Sequence, residues 1–161
     1  MSAARRAPRL VVDVAADGVR IPVSRERVAA VAGHVLRAEG VRDALLSIAF
    51  VSRAGIARLN RDHLGHAGPT DVISFGHARA HAAAPVVGDV YICPDVAREN
   101  ARTHGAGVRE ELLRLVVHGT LHILGHEHPE GDGRTASAMW RRQERLLARA
   151  TAAPRREGGR S

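Results

Sequence analysis

Three closely spaced histidines have the residue type and the spacing needed to bind a metal ion. His118, His122 and His128 lie in HGTLHILGHEH at positions i, i+4 and i+10. Because residues four apart share one face of an α-helix, His118 and His122 predict two imidazole ligands one turn apart. Gly125 can end that helix in a left-handed conformation, so that the chain turns and brings His128 towards the same point. Three imidazoles favour Zn²⁺ with one coordination position left open, which is typical of catalytic sites.

The third ligand has a rival in His126, which continues the four-residue series from His122. His126 would be the ligand if the helix continued through Gly125, whereas a glycine that ends the helix favours His128. The histidines could instead be core residues with ordinary hydrogen bonds. Two imidazoles on a nearly continuous apolar helix would then leave several ring nitrogens to satisfy, so we expect one Zn²⁺ per chain.

The position that would supply a general base in a protease is a glycine here. The histidine spacing is similar to the H-E-x-x-H-x-x-G-x-x-H pattern of the metzincin proteases, but Gly119 stands in place of their glutamate. Glu127 and Asp71 are the carboxylates available to orient an activated water. Zn²⁺ lowers the pKa of its water to about 7 and polarises phosphoryl oxygens, so phosphodiester hydrolysis needs less from the protein. The candidate catalytic residues are therefore His118, Glu127 and Asp71, and the 2′-hydroxyl of RNA is an alternative nucleophile.

The elements that must position these residues are strands alternating with helices. Strands are indicated by runs of β-branched and apolar residues at 9–15, 44–51, 71–75 and 86–93. Helices are indicated after the N-caps Ser24 and Ser52, from Pro94 to Asn100, from Val108 onwards and over 135–150. The segment RDHLGHAGP, from Arg61, is polar and contains glycine, which predicts a loop. This order of elements indicates an α+β protein, an α/β sandwich of a small sheet of about four strands and about five helices.

The helix that carries the histidines is predicted to be central and buried. Apolar residues leave it almost no polar face, so other elements must cover it on several sides: Leu112, Leu113, Leu115, Val116, Val117, Leu121, Ile123 and Leu124. Glu110 and Glu111 fall in its first turn, where the helix dipole favours negative charge. The metal ligands are therefore expected on a rigid element.

Most of the positive charge lies at the two ends of the chain. Of the formal net charge of +7, residues 1–9 supply +3 and residues 151–161 supply +2. We expect one domain over 1–150 and a disordered basic tail over 151–161. Basic tails raise encounter rates with polyanions such as RNA. The four aromatic side chains are too few for the base-stacking platform of single-strand binders.

Two features bear on the compartment. No apolar run approaches the length of a membrane span, and the basic N-terminus is not followed by the apolar stretch of a secretory signal. Cys93 is the single cysteine, which excludes an internal disulfide and fits a reducing compartment, and its setting in VYICP predicts a buried apolar side chain. We therefore expect a cytoplasmic protein with no membrane partner.

The histidine motif and segments on either side of it together resemble the YbeY family of bacterial rRNA maturation factors. The family pattern H-G-x-L-H-L-x-G-[YH]-D-H matches HGTLHILGHEH at nearly every position, including Gly119. Upstream, LN at 59–60, PTDVISF at 69–75 and GDVYI at 88–92 are similar to the family's LN, PTDVLSF and GDI segments, in the same order. Downstream, MWRRQE at 139–144 is similar to its M-x-x-x-Q-E. The resemblance covers roughly residues 45–148.

The resemblance implies a zinc-dependent endoribonuclease. It assigns one zinc to His118, His122 and His128, and it implies a small mixed sheet packed with helices. The implied activity is single-strand-specific cleavage in 3′-end maturation of small-subunit rRNA, together with ribosome quality control. The implied partners are rRNA and the small ribosomal subunit. Gly119 is then an ordinary member of the family pattern.

Two positions depart from that pattern. Glu127 stands where the family usually has Asp, and Leu64 stands where it commonly has an Arg thought to contact substrate. Arg58 and Arg61 are nearby cations that could replace the missing one, and we take them as candidate substrate-binding residues. Loss of the cation would remove one charge-assisted contact to a phosphate.

Other interpretations compete with a nuclease. One is a non-catalytic ribosome-assembly factor whose fold zinc stabilises, and another is a metalloprotease, which Gly119 disfavours. Asp89 lies within a predicted strand, where a carboxylate needs a partner, so it could accept a hydrogen bond from a ligand histidine. His77 and His81 are four apart in GHARAHAAAP, but no apolar face anchors them as a helix, so no second metal site is expected.

Overall fold

The computed structural model describes residues 7–128, 133, 135 and 137–152. Within these ranges the strands are β1 (Leu10–Ala16), β2 (Ala44–Phe50), β3 (Val72–Gly76) and β4 (Val86–Ile92). They form one sheet in the order β1-β2-β4-β3. β1, β2 and β4 are mutually parallel, whereas β3 pairs antiparallel with β4 and places Ser74 opposite Val90. The small mixed sheet implied by the resemblance is therefore confirmed.

The same ranges contain five long helices: α1 (Arg25–Ala38), α2 (Arg53–Leu64), α3 (Pro94–His104), α4 (Val108–Ile123) and α5 (Ala138–Thr151). Ser24 and Ser52 cap α1 and α2 as predicted, because each hydroxyl accepts from a backbone N–H three residues on. The predicted α+β fold is thus confirmed. No helix in the described ranges has the length and the apolar character needed to cross a bilayer.

Two helices extend beyond their predicted ends. The sequence predicts a loop from Arg61, but α2 continues to Leu64 and ends at Gly65, which has a φ of 68°. Likewise α3 continues past Asn100 to His104. In both helices a left-handed glycine, rather than the polarity of the preceding residues, sets the end. Most of the tail predicted over 151–161 lies outside the described residues.

The two faces of the sheet are covered by different helices. On one face, α1, α4 and α5 enclose the main hydrophobic core with the inward side chains of the strands. On the other face, α2 packs Ile56 against Ile73 and Cys93, which is buried as predicted. Helix α4 lies between α1, α3 and α5 and packs on β3 and β4, and ten of its residues are buried. The prediction of a central buried helix is confirmed.

Two glycines allow α4 to approach the sheet very closely. A Cβ atom at Gly119 would lie 2.6 Å from Cγ1 of Val90 and 3.1 Å from the hydroxyl of Ser74. A Cβ atom at Gly88 of β4 would lie 2.7 Å from two side-chain carbons of Ile123. The Ser74 hydroxyl also donates a hydrogen bond of 3.1 Å to the carbonyl oxygen of Gly119. These contacts fix the helix that carries the histidines at one position and rotation on the sheet.

Candidate metal centre

The end of α4 and the turn after it bring the three predicted ligands together. His118 and His122 lie one helical turn apart, with their Nε2 atoms 3.0 Å from each other. Gly125 then adopts the left-handed φ of 93° that the sequence predicts. The chain reverses there, and the ring centroid of His128 lies 5.0 Å from those of both His118 and His122. One nitrogen from each of the three rings lies within 4.8 Å of the other two.

This cluster of nitrogens fits a metal ion. Zn–N bonds of about 2.0–2.1 Å in a tetrahedral site place two ligand nitrogens about 3.3 Å apart, and the Nε2 atoms of His118 and His122 are 3.0 Å apart. The cluster is buried on its protein side, where His118 is only 4% exposed. The rings of His122 and His128 are half-buried, so solvent reaches the other side. Three donors leave a coordination position for water or substrate.

Gln143 of α5 orients the most buried ligand. Its Oε1 accepts a hydrogen bond of 2.6 Å from Nδ1 of His118, and its side chain is 1% exposed. Since an amide oxygen only accepts, the proton of His118 is held on Nδ1 and the lone pair of Nε2 faces the cluster. In the sequence Gln143 appears only as the glutamine of the MWRRQE segment, to which no role at the metal was assigned. Its signal is a polar residue within the apolar spacing of α5, between Met139 and Leu146.

His126, the rival third ligand, points away from the cluster. Its Nε2 lies 3.3 Å from Oε2 of Glu39, at the end of α1. The other carboxylate oxygen of Glu39 accepts a hydrogen bond of 2.8 Å from Arg142 of α5. Glu39 therefore ties the turn between Gly125 and His128 to two helices. Because α4 ends before Gly125, the continuation that would have made His126 a ligand does not occur.

Replacing Gln143 by leucine is expected to weaken metal binding about 10- to 100-fold. The apolar side chain has similar volume but offers no acceptor, so the Nδ1 proton of His118 loses its partner and the ring is no longer held in one tautomer. Competition for Zn²⁺ against a chromophoric chelator measures the change. Gln143→Glu, which keeps an acceptor, should bind the ion at least as tightly as the unmodified protein. Arg145→Leu on the exposed side of α5 is the matched control, and equal affinities of Gln143→Leu and this control would contradict the assignment.

The pairing of Glu39 predicts a specific loss of stability in acid. Burial acts to raise the pKa of Glu39, but hydrogen bonds from Arg142 and His126 and their positive charges outweigh it and hold that pKa below its usual 4.5. A lowered carboxyl pKa contributes stability that is present above pH 4.5 and is lost as the pH falls through the folded-state pKa. Glu39→Gln should therefore cost about 1 kcal/mol of unfolding free energy at pH 7 and progressively less below pH 4.5. Urea denaturation at several pH values measures this, with Asp13→Asn, at an exposed position of β1, as the control. A cost that does not change with pH would refute it.

A cleft of about 860 Å³ lies beside the metal centre, with His118 in its wall. Its walls come from α3, α4, α5 and the residues before β3, and include Pro69, Thr70, Asp71, Asn100, His104, Glu111, Arg114, Trp140 and Gln143. The sequence-predicted carboxylate Asp71 is thus brought to the same cleft as His118. Its Oδ2 accepts a hydrogen bond of 3.1 Å from the amide of Asn100, and its Oδ1 accepts one of 2.8 Å from the backbone N–H of Val72.

Arg114 is the arginine in the wall of this cleft, and carboxylates surround it. It donates to Glu144 at 2.7 Å and to Glu110 and Glu111 at 3.0 Å each. Burial acts to lower the pKa of Arg114, but the hydrogen bonds and charges of Glu144 and Glu111 outweigh it and raise that pKa above its usual range. Arg114 is therefore permanently charged and fully engaged, and it ties the first turns of α4 to α5.

The other sequence-predicted residues lie elsewhere. Glu127 is exposed between His126 and His128 and is not in the wall of the cleft. Arg58 and Arg61 are exposed on α2, where Arg61 pairs with Asp62 at 3.1 Å, and neither lines the cleft. Leu64 is 48% exposed in the last turn of the same helix.

The prediction that Asp89 partners a ligand histidine is wrong. Its Oδ2 lies 2.9 Å from Nε2 of His77. In β4 the side chains alternate, so Gly88 and Val90 face α4 whereas Asp89 points to the opposite face of the sheet. In the described part of the chain, His118, His122 and His128 form the one cluster suited to a metal, so no second site is found at His77 and His81.

Comparison with known proteins places this fold and site in one family. The model of the family described as Endoribonuclease YbeY matches residues 15–151. A protein of that name from Frankia alni is 37% identical over 93% of this chain and 88% of its own length. Another from Beutenbergia cavernae is 42% identical over 70% of this chain and 80% of its own length.

A solved structure is similar as well. The solution structure of a protein from Thermotoga maritima matches with a TM-score of 0.59 and 24% identity, over 87% of this chain and 89% of that one. That likeness supports the fold alone. The part of the chain that the family model matches includes the three histidines and Gln143. This chain therefore belongs to the YbeY family of endoribonucleases.

Proposed function

We propose that the protein is a zinc-dependent endoribonuclease that cleaves single-stranded RNA in 3′-end maturation of small-subunit rRNA, and that it serves ribosome quality control in the cytoplasm. The observation that carries the proposal is the cluster of His118, His122 and His128, whose nitrogens lie within 4.8 Å of one another in a chain of an endoribonuclease family. The three neutral imidazoles suit Zn²⁺, with one ion per chain. The proposed partners are rRNA and the small subunit.

The chain's own residues would prepare the site for phosphodiester hydrolysis. A bound Zn²⁺ would supply Lewis-acid chemistry, polarising a phosphoryl oxygen and making water more acidic. Gln143 keeps the His118 ring in the tautomer that can bind the ion. The close packing of Gly119 on Val90 holds α4, and with it His118 and His122, on the sheet. The burial of His118 limits its exposure to solvent to 4% of its surface.

Two carboxylates are proposed to act near the reacting phosphate. Asp71 shares the cleft with His118, and its hydrogen bonds to Val72 and Asn100 fix its orientation. Glu127 is exposed beside His128, where it would act from the solvent side. Asp71 is the better supported of the two, because its position relative to His118 is set by packed elements.

Arg58 and Arg61 are proposed to contact the RNA backbone in place of the cation missing at Leu64. Arg61 lies three residues before Leu64, so the two share one side of the exposed last turns of α2. His63 of the same turn contacts the ring of Phe75 in β3, at a centroid distance of 5.2 Å. This contact brings the end of α2 to the strand whose Ser74 packs on α4.

A cleavage assay with metal-stripped and reconstituted protein tests the proposal. The substrate is single-stranded RNA that carries the 3′ region of small-subunit rRNA, and the same RNA annealed to a complementary strand is the comparison. We expect cleavage of the single strand by zinc-reconstituted protein, little cleavage of the duplex, and none by the stripped protein. Cleavage that survives stripping, or that is equal on both substrates, would overturn the proposal.

A non-catalytic assembly factor is the second candidate, and the absence of an arginine at position 64 favours it. It predicts stoichiometric zinc, RNA binding that weakens with salt, and no cleavage at any metal loading. A metalloprotease is disfavoured by packing as well as by sequence. Position 119, where its glutamate would stand, faces Val90 and Ser74 and has no room for a larger side chain.

A further inference from the structure

The cleft beside the metal centre has the size of a small-molecule site and a wall that includes a metal ligand. Its volume of about 860 Å³ lies within the usual range of about 300–1,000 Å³ for ligand pockets. His118 lies in its wall, so an occupant would be adjacent to the ion. If the protein cleaves RNA, as proposed above, the occupant is a part of the RNA strand next to the scissile phosphate.

The charges of the cleft do not suit a phosphate. Asp71 and Glu111 contribute two carboxylates to the wall, and Glu111 is buried. Arg114 is the arginine in the wall, and its guanidinium donates to three carboxylates of the protein itself. Among the described residues of the wall, a phosphate would therefore find two carboxylates and no unpaired arginine, at a cost in electrostatic energy. An uncharged nucleobase avoids this cost.

Trp140 gives the cleft a flat aromatic surface. It lines the cleft from the first turn of α5, where Ser137 caps the helix and fixes the backbone of Trp140 through a hydrogen bond of 3.1 Å. The other aromatic rings cannot serve here, since Phe50 is fully buried and Phe75 and Tyr91 contact each other on the α2 side of the sheet. One ring is too little for a platform along a strand, but it is sufficient to stack one base.

Asn100 and Asp71 give the cleft a fixed polar edge. Asn100 donates one amide hydrogen to Oδ2 of Asp71, which leaves its carbonyl oxygen and its second amide hydrogen for a ligand. The carboxylate of Asp71 retains lone pairs of its own. This edge is richer in acceptors than in donors, so it suits bases with an exocyclic amino group, namely adenine, cytosine and guanine. Uracil presents carbonyl oxygens on both sides of its N–H and is disfavoured.

We propose that the cleft is a nucleobase subsite next to the metal centre, in which one amino-bearing base stacks on Trp140 and is read by Asn100 and Asp71. In this arrangement Asp71 binds the base, and Glu127 is the carboxylate left to act at the phosphate. The phosphate backbone then passes over the solvent side of the histidine cluster. The subsite confers a preference for amino-bearing bases over uracil beside the cleavage position. RNA recognition at this point depends on base identity in addition to charge.

Nucleosides test the subsite without involving phosphate. The protein has one tryptophan, so its fluorescence reports on Trp140 alone. Titration of zinc-loaded protein with adenosine or cytidine should quench the signal saturably, whereas uridine should bind about tenfold more weakly. Ribose should give no saturable change. The proposal is overturned if uridine binds as tightly as adenosine, or if no nucleoside quenches the signal.

Two substitutions separate stacking from base reading. In the Asn100→Leu variant, adenosine should still quench the tryptophan fluorescence. Uridine should then bind about as tightly as adenosine, because the side chain that distinguishes the two bases is gone. The Trp140→Ala variant lacks the fluorophore, so its binding is measured by calorimetry. It should bind adenosine at least about tenfold more weakly than the unmodified protein, and Trp140→Phe should recover most of the affinity. Arg102→Ala, an exposed residue of α3, is the matched control. The subsite would be refuted if Asn100→Leu still bound uridine more weakly than adenosine by the same factor. It would also be refuted if Trp140→Ala, with a native circular dichroism spectrum, bound adenosine as tightly as the unmodified protein.

Cleavage assays distinguish failure of the subsite from failure of the proposed nuclease. RNA strands with adenines or with uridines around a single cleavage position should be cut at different rates by the unmodified protein and at similar rates by Asn100→Leu. Equal rates for both strands with the unmodified protein would refute the subsite while leaving the nuclease intact. Nucleoside binding with no cleavage of either strand would refute the nuclease and leave a nucleoside-binding cleft.

Discussion

Replacing His122 by alanine should abolish both stoichiometric zinc binding and RNA cleavage. His122 is one of three imidazoles whose nitrogens converge, and its Nε2 lies 3.0 Å from that of His118. Loss of a residue that hydrogen-bonds to a ligand, such as Gln143, is expected to reduce zinc affinity about 10- to 100-fold. Loss of a ligand itself should reduce zinc affinity further. Cleavage should fall by at least about 100-fold, because too little ion remains to act as a Lewis acid. Zinc content by mass spectrometry and single-turnover cleavage measure the two effects.

His126→Ala is the matched control for this substitution. It removes an imidazole four residues away, but His126 contacts Glu39 rather than the cluster. The variant should retain zinc at one ion per chain and should retain cleavage. Thermal denaturation adds an independent readout, since saturating zinc should raise the midpoint of the control and of the unmodified protein but not that of His122→Ala. Zinc retained by His122→Ala and lost by His126→Ala would reverse the assignment of the ligands.

Introducing the glutamate of a protease at position 119 should unfold the protein rather than create a protease. Even the first carbon of a new side chain would lie 2.6 Å from Cγ1 of Val90, which is fully buried in β4. Overpacking costs about 1–3 kcal/mol, and an unpaired buried carboxylate costs several more. The sum is comparable with the total stability of a small domain, about 5–15 kcal/mol. Gly119→Glu should therefore lack a cooperative unfolding transition in urea, and no hydrolysis of a denatured protein substrate should be detected.

Smaller substitutions make this prediction quantitative. Gly119→Ala should be less stable than the unmodified protein, because the clash with Val90 exceeds the gain in helix propensity of about 1 kcal/mol. Gly33→Ala in α1 gains the same propensity, but its new carbon meets only the flexible end of the Arg37 side chain, at 3.2 Å. Gly33→Ala should therefore stabilise the protein. If Gly119→Ala and Gly33→Ala changed the unfolding free energy of the metal-free protein equally, Gly119 would have no special packing role.

The parts of the site that follow from local geometry could be predicted from the sequence. The spacing of His118 and His122 fixes their relation on a helix, and Gly125 indicates where that helix ends. The apolar character of 112–124 indicates a central helix. These predictions depend on residues that are near one another in the chain, so helical geometry alone decides them.

The partners of these residues depend on tertiary packing and could not be predicted in the same way. Gln143 follows His118 by 25 positions, and Glu39 precedes His126 by 87. No periodicity connects such residues before the helices are docked. The error at Asp89 was avoidable in principle, because alternation along β4 places Asp89 on the opposite face from Gly88 and Val90. Gly88 was the informative residue in β4, since it lies on the face of the strand that packs against α4.

The three ligands differ in what holds them, and this difference sets an order for metal exchange. His118 and His122 belong to a helix that packs closely on the sheet through Gly119 and Gly88. His128 follows the turn at Gly125 and lies outside any helix or strand. We therefore expect an incoming chelator to displace His128 first, while His118 and His122 still hold the ion. Release of the ion should then need no unfolding of α4, so its rate should depend on the opening of one turn and not on the global stability of the protein.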